Sequence, residues 1–279
     1  MKIAFSKYQA LGNSFIVLDE IVENGRLKRF ETLAQKICHP TQGIGADGIL
    51  VVSGQKPAYR VDIYNADGSW AEKSGNGIRI AAMFLLNKGL VSEKEVSLET
   101  GSGTSVIQFK AGSDKKRAIG ASLGKPVFEA AKIPVKTELK YFINQTLEMD
   151  KRQLIVSAVS VGNPHLILFC DDFDFDWQSI GADLEVHDLF PNRINVGFVS
   201  VKDAENIDVR DFERGVGPTE SSGTGAAAAV AIAVMRGFTD RKVNVHTQAG
   251  ILQVLWDDKT DEISIQGPVE FIGAGEFEA

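Results

Sequence analysis

Ser74-Gly75-Asn76-Gly77-Ile78-Arg79-Ile80-Ala81-Ala82-Met83-Phe84-Leu85-Leu86 passes from a glycine-rich polar start into an apolar segment that stops at Gly89. The same plan returns at Ser222-Gly223-Thr224-Gly225, followed by Ala226–Met235 and Gly237. Both intervals from serine to closing glycine are 15 residues, and the two serines stand 148 residues apart. Each segment then leads through a charged turn and a short strand to a threonine: Val96…Thr100-Gly101-Ser102-Gly103 and Val243…Thr247-Gln248-Ala249-Gly250. Self-similarity of this kind reads as one structural unit repeated.

The two apolar segments present no polar face, so helices formed there must be buried on all sides. Their alanine content, length and terminal glycines favour helix over strand. Helices are therefore predicted over residues 75–88 and 223–236. Around them lie short runs rich in Val, Ile and Phe, bounded by Gly, Pro, Asn and Asp, which read as strands. The first series is Lys2–Lys7, Ser14–Leu18, Gly48–Ser53, Arg60–Tyr64, Glu95–Glu99, Thr104–Phe109 and Ala118–Leu123. The second is Gln153–Ser160, His165–Phe169, Ile194–Ser200, Ile207–Phe212, Lys242–His246, Ile251–Leu255 and Glu262–Ile265. The expected fold is α+β: two pseudo-symmetric domains, each a strand-rich sheet or barrel wrapped around a buried helix. A domain boundary is expected in the polar stretch Ala111–Arg117.

Composition narrows the function. With 44% hydrophobic and 24% charged residues in 279, the chain is an ordinary globular one. Its 27 glycines exceed the usual ~7% and imply many turns. A formal charge of −7 argues against a nucleic-acid partner, which would require lysine and arginine against phosphate. The small basic clusters Lys115-Lys116-Arg117 and Lys151-Arg152 read as solvated loop charges. Two cysteines, Cys38 and Cys170, make neither a disulfide framework nor a zinc site, and both read as buried structural thiols. The N-terminus lacks the apolar core of a signal peptide, and the Ile80–Leu86 run is far short of the ~20 residues that span a membrane. A cytoplasmic monomer or homodimer acting on a small molecule is the expectation.

A helix N-terminus carries unpaired N–H groups and about half a positive charge, and glycines let a ligand approach them closely. Such a start suits a carboxylate or phosphate. A serine there can equally be a plain N-cap. Two copies at matched positions favour the ligand reading, with both helix starts aimed into one cleft between the domains. Further polar clusters sit at predicted strand ends: Leu11-Gly12-Asn13-Ser14-Phe15, Asn65-Ala66-Asp67-Gly68-Ser69, Gly162-Asn163-Pro164-His165, Arg193-Ile194-Asn195 and Phe212-Glu213-Arg214-Gly215-Val216-Gly217. Each alone is ordinary turn chemistry.

Together these motifs resemble the diaminopimelate epimerase family, isomerases that work at an amino-acid α-carbon without PLP or metal. The resemblance runs from Leu11-Gly12-Asn13 to Gly267-Pro268. It implies two similar domains, residues 1–117 with 267–279 and residues 118–266, the final strand crossing back to the first. It implies that Asn13, Asn65, Asn163, Asn195, Glu213 and Arg214 hold the amino and carboxylate groups at the substrate's non-reacting end. Gly75, Asn76, Gly223 and Thr224 would grip the reacting α-carboxylate. Arginine suits a carboxylate through its planar fork, and Glu213 would balance an ammonium.

The sequence departs from the family at the reacting positions. The family places a cysteine before each glycine-x-glycine, one thiolate taking the α-proton and one thiol returning it. Here Ser74 and Ser222 occupy both catalytic positions, either as native residues or as replacements that disarm the site. A serine hydroxyl ionises far less readily than a thiol and normally needs an adjacent base. Lys73, His165 and Asp67 are the candidates for that help. Three readings stand: a diaminopimelate epimerase-like isomerase of L,L- to meso-diaminopimelate or a related diamino-dicarboxylate; a non-thiol isomerase or dehydratase of the same fold; and a module that binds an amino acid without converting it.

Overall fold

The computed structural model describes every residue except Met1, Asn24, Arg26, Lys73, Glu93, Asp114, Asp150, Lys151 and Ala279. Lys73 and Lys151, both singled out above, thus lie outside the described residues. The chain divides into two compact units, Met1–Ser122 with Gln266–Ala279, and Leu123–Ile265.

The first unit contains β1 (Lys2–Ala10), β2 (Asn13–Asp19), β3 (Gly48–Gln55), β4 (Ala58–Asn65), β5 (Trp70–Ala71), β6 (Glu95–Thr100), β7 (Gly103–Gly112) and β8 (Lys116–Gly124). Its helices are α1 (Glu20–Glu23), α2 (Phe30–Ile37) and α3 (Gly75–Asn87). Hydrogen-bonded neighbours run β1, β2, β3, β4, β6, β7, β8 and then the chain's last strand, which pairs back onto β1, closing a ring of eight strands. Within it lies α3. Ile78 through Leu85 of this helix are at most 1% exposed, as a helix apolar all round requires. On the outside, α2 buries Leu33, Ala34 and Ile37 against Ile16, Leu18, Ile49 and Val51. The polar Ala111–Arg117 stretch carries the turn joining β7 to β8.

The second unit contains β9 (Gln145–Met149), β10 (Arg152–Ser160), β11 (Pro164–Phe169), α4 (Trp177–Glu185), β12 (Asn195–Asp203), β13 (Asn206–Glu213), β14 (Gly217–Thr219), α5 (Gly223–Met235), β15 (Lys242–Thr247) and β16 (Gly250–Trp256). The final strand, β17 (Ile263–Glu278), begins here and continues into the first unit. Pairing repeats the first unit's plan. β2–β3 and β11–β12 are parallel, β3–β4 and β12–β13 antiparallel, β4–β6 and β13–β15 parallel, β6–β7 and β15–β16 antiparallel. Ala226–Ala233 of α5 is 0% exposed throughout. Trp177, Ile180 and Leu184 of α4 seal the outer face against Phe198 and Phe212.

Both central helices thus form as expected. Two outer helices, α2 and α4, escaped the sequence reading. Each is short, and α4 announces itself only through the Asp176 cap, whose carboxylate accepts from Ser179 N at 3.2 Å. The last strand runs far beyond Ile265 because its second half completes the first unit's ring. Two solvation expectations fail. Arg117 is buried, since strand alternation turns it inward from exposed Lys116. Cys170 is half-buried rather than a core thiol, its Sγ 3.7 Å from Val199 O. Among the described residues no helix is long and apolar enough to cross a membrane.

Candidate active site

The polar side chains collect at strand ends and at the two central helix starts, where the backbone leaves the sheet with its hydrogen bonds open. Each half of the chain builds its own set.

In the first unit, Leu11 (φ 51°) and Gly12 (φ 80°) form a two-residue hairpin turn between β1 and β2. Positive φ at both central positions matches the twist of paired strands, which makes glycine apt at the second. The turn presents Asn13, which donates to Asp47 Oδ2 at 3.2 Å and accepts from Asn76 Nδ2 at 3.3 Å. Asn76 in turn accepts from Arg79 Nη2. Arg79 is fully buried, and desolvation lowers its pKa to about 10. Ser74 has extended backbone and caps α3, its Oγ accepting from Gly77 N at 3.0 Å. That cap serves one of the four N–H groups at the helix start. At the end of β4, Asn65 donates to Ser69 Oγ at 2.9 Å. Asp67 accepts from Ser69 N at 2.8 Å and Ser69 Oγ at 2.6 Å, which holds its carboxyl below the usual carboxylate range. Asp67 is thereby occupied as a turn residue.

In the second unit, Ser222 is 4% exposed and caps α5, its Oγ accepting from Gly225 N at 3.2 Å. The Glu213 carboxylate accepts from Thr219 Oγ1 at 2.7 Å, and the Ser222 hydroxyl acts on it in the same sense, lowering its pKa. Burial outweighs both and raises the Glu213 pKa. Asn163 donates to Thr224 Oγ1 at 3.3 Å, while its Oδ1 lies 3.0 Å from His165 Nε2. Asn195 donates to Pro164 O at 2.7 Å and accepts from Arg214 N at 3.0 Å. It braces the strand end that carries Arg214. Glu185 supports the next residue, accepting from Gly215 N at 2.7 Å. Arg214 itself is exposed, with Nη1 donating to Asn192 O at 3.0 Å.

His165 does not serve as a base near neutral pH. Burial, and then the charge of Arg214, depress its pKa to about 3. The unfolded histidine binds a proton from about pH 6.5 downward and the folded one refuses it until about 3. The unfolded state therefore holds more protons across that window, and stability falls as pH drops through it. Urea midpoints between about pH 7 and pH 4 should fall more steeply for the wild type than for His165→Gln. Equal slopes would show that His165 accepts its proton in the folded chain.

The two thiols are also unfit for proton abstraction. Burial, with Asp47 nearby, pushes Cys38 up to about 12. Burial, with Asp172 and Asp171, pushes Cys170 up to about 11. Neither is a thiolate near neutral pH.

Sequence reasoning missed Asp211, Thr219, Asp47 and Arg79. Asp211 was findable: 148 residues earlier the matching position is Ile63, so a carboxyl stands where the repeat calls for a core residue.

Comparison with known proteins bears on the same features. The family model for diaminopimelate epimerase matches residues 5–129 and 157–272. Diaminopimelate epimerase of Caldanaerobacter subterraneus subsp. tengcongensis is 41% identical over 276 residues, covering 98% of this chain and 99% of that one. The Desulfitobacterium hafniense protein of that name is 35% identical over 272 residues, with 96% of each chain covered. Among solved structures, a hydroxyproline epimerase from Agrobacterium vitis superposes with a TM-score of 0.71 at 13% identity, covering 99% of this chain and 91% of that one. A PhzF-family phenazine biosynthesis protein from Bacillus anthracis gives 0.69 at 17% identity over 100% of both chains. At such identities the structural likeness speaks to fold alone. The matched relatives, the duplicated helix starts and the shared fold agree: this chain belongs to the diaminopimelate epimerase family.

Proposed function

We propose that the chain isomerises an amino acid at its α-carbon, with the L,L- to meso-diaminopimelate conversion as its reaction and with neither PLP nor metal. The observation that carries this reading is the pair of serine-capped, glycine-opened helix starts in a chain 41% identical to a diaminopimelate epimerase. Backbone N–H groups of Gly75, Asn76, Gly223 and Thr224 hold the α-carboxylate and stabilise the charge that builds on it as the α-proton leaves. Ser74 and Ser222 are the proton-transfer positions. Asn13, Asn65, Asn163, Asn195, Glu213 and Arg214 order the distal end of the substrate. For Asn195 that role is indirect, since both ends of its amide already brace backbone.

A second reading, a non-thiol isomerase or dehydratase, is favoured by one observation. The Ser222 hydroxyl caps α5 beside a buried carboxyl, Asp211, whose Oδ1 reaches the first turn of the helix at Gly225, and a hydroxyl needs such an adjacent group where a thiol can ionise by itself.

The test is incubation with L,L-diaminopimelate in deuterated water, following stereochemistry and α-deuterium by NMR. Formation of the meso isomer with α-deuterium is the expected result. Loss of ammonia or water would replace the epimerase reading with a lyase. Saturable binding without exchange would leave a binding module.

A further inference from the structure

Arg79, in the first turns of α3, is 0% exposed, so its charge lies in the protein interior. Helical side chains lean toward the N-terminus, and this one reaches back over the helix start. Its Nε donates to Gly75 O at 3.2 Å and its Nη2 to Asn76 Oδ1. Among the described residues, Nη1 has no hydrogen-bond partner and no carboxylate neutralises the guanidinium. Desolvation alone lowers its pKa, to about 10, so the group stays charged near neutral pH. Burying a charge without a counter-ion is unfavourable, and an apolar residue would fill the position without that penalty. The second unit does just that. The shift of 148 residues that carries Ser74 onto Ser222 carries Arg79 onto Ala227, which is 0% exposed.

From the guanidinium runs a chain of hydrogen bonds with one direction. Arg79 donates to Asn76, Asn76 Nδ2 donates to Asn13 Oδ1 at 3.3 Å, and Asn13 Nδ2 donates to Asp47 Oδ2 at 3.2 Å. Arginine has no acceptor and an ionised carboxylate has no donor, so both ends impose the same orientation on the two amides between them. Each amide spends its oxygen inside the chain and keeps a second N–H. Asp47, at the far end, is exposed to solvent. The second unit holds a shorter, neutral counterpart. There Asn163 donates to Thr224 Oγ1 at 3.3 Å, and its Oδ1 lies 3.0 Å from Nε2 of His165, which burial keeps uncharged near neutral pH. Position 79 thus gives the α3 start a buried cation, and the matching position gives the α5 start none.

We propose that Arg79 is the positioning residue of the Ser74 half-site: it turns the amides of Asn76 and Asn13 so that they offer N–H groups, and its unpaired charge makes the α3 start the stronger of the two seats for the substrate's α-carboxylate. This rests on the reading of the chain as an α-carbon isomerase. The carboxylate brings the negative charge that the buried guanidinium lacks. The field of the cation adds to the partial positive charge of the helix N-terminus, and in a buried setting salt and water screen it little. As the α-proton leaves, charge builds on the α-carboxylate, so the same field favours the transition state over the bound substrate. Arg79 does this without touching the substrate, the contacts being made by Asn76 and the backbone N–H groups.

Two measurements test the inference. The first is calorimetry with L-lysine and with L-lysinamide, which carries an uncharged amide in place of the α-carboxylate. Arg79→Met keeps a buried side chain at the position and removes the charge. It should weaken L-lysine by about tenfold or more, the scale of a charge-assisted hydrogen bond, and leave L-lysinamide unchanged. A site merely distorted by the substitution would lose both ligands alike. Equal losses, or wild-type affinity for L-lysine, overturn the proposal.

The second needs no substrate: urea midpoints in chloride and in acetate at equal ionic strength. Arg79→Met/Asn76→Thr copies the threonine of the second unit and strands neither the charge nor the Asn76 oxygen. In chloride its midpoint should match or exceed that of the wild type, because an unpaired buried charge has been removed. A lower midpoint would mean that the guanidinium serves the fold, and overturns the proposal. Acetate, a bare carboxylate, should raise the wild-type midpoint more than that of the double variant, since it binds the folded site that holds the cation. An equal rise overturns the proposal. If the wild type binds neither L-lysine nor its amide, the substrate reading fails, while the acetate comparison still decides the role of Arg79.

Discussion

Installing both thiols, as Ser74→Cys/Ser222→Cys, should raise inversion of L,L-diaminopimelate by about 10²–10⁴-fold, the range of general acid–base catalysis. Inversion needs an acceptor on one face of the α-carbon and a donor on the other. A thiol supplies either, since its reference pKa of about 8.5 falls at a helix N-terminus. Both positions are such termini, each capping its helix through the same side chain that would be replaced. The positions are not equivalent, however. The Glu213 carboxyl acts on position 222, and a carboxylate there opposes thiol ionisation, whereas the matching residue for position 74 is uncharged Asn65. Each single replacement should therefore gain little, with Ser222→Cys gaining less. Chiral analysis of the product for all four proteins checks this. A double variant slower than the wild type would show that the hydroxyls are the evolved catalysts.

Arg214→Ala should weaken binding of L,L-diaminopimelate by about 2 kcal/mol or more, roughly 30-fold in Kd. The guanidinium is exposed in the free chain, but its backbone is held by Asn195 and by the Glu185 contact to Gly215. It is thus presented to solvent on a fixed strand end rather than on a floppy loop. Exposure puts the expected loss at the lower end of what truncating a charge partner costs. The informative comparison is L-lysine, which lacks the distal carboxylate. Calorimetry should show its affinity unaffected by Arg214→Ala. Equal losses for both ligands would mean that Arg214 does not read the distal carboxylate.

The Ser–Gly–x–Gly repeat and the all-apolar segments behind it were sufficient, as sequence, to place two buried helices sheathed by strands. The physical reason is local: a helix with no polar face has only one stable environment, and a serine before glycines has only one common backbone use. Family membership followed from the same motifs. Positions that depend on pairing were not legible. The last strand's crossing into the first unit was expected from the family resemblance alone; the inward turn of Arg117 and the bracing role of Asn195 are decided by which strand lies alongside, and alternation along one strand cannot name its neighbour. Asp211 stands between the two classes: the repeat sets it opposite Ile63, a core position, while its own strand does not mark it as buried. Asp211 reads as a surface residue in the run Asp208-Val209-Arg210-Asp211, whose alternation is polar on both sides. The packing of Gly225 against its Oδ1 helps to shut out water, and that burial is what raises its pKa well above the usual carboxylate range.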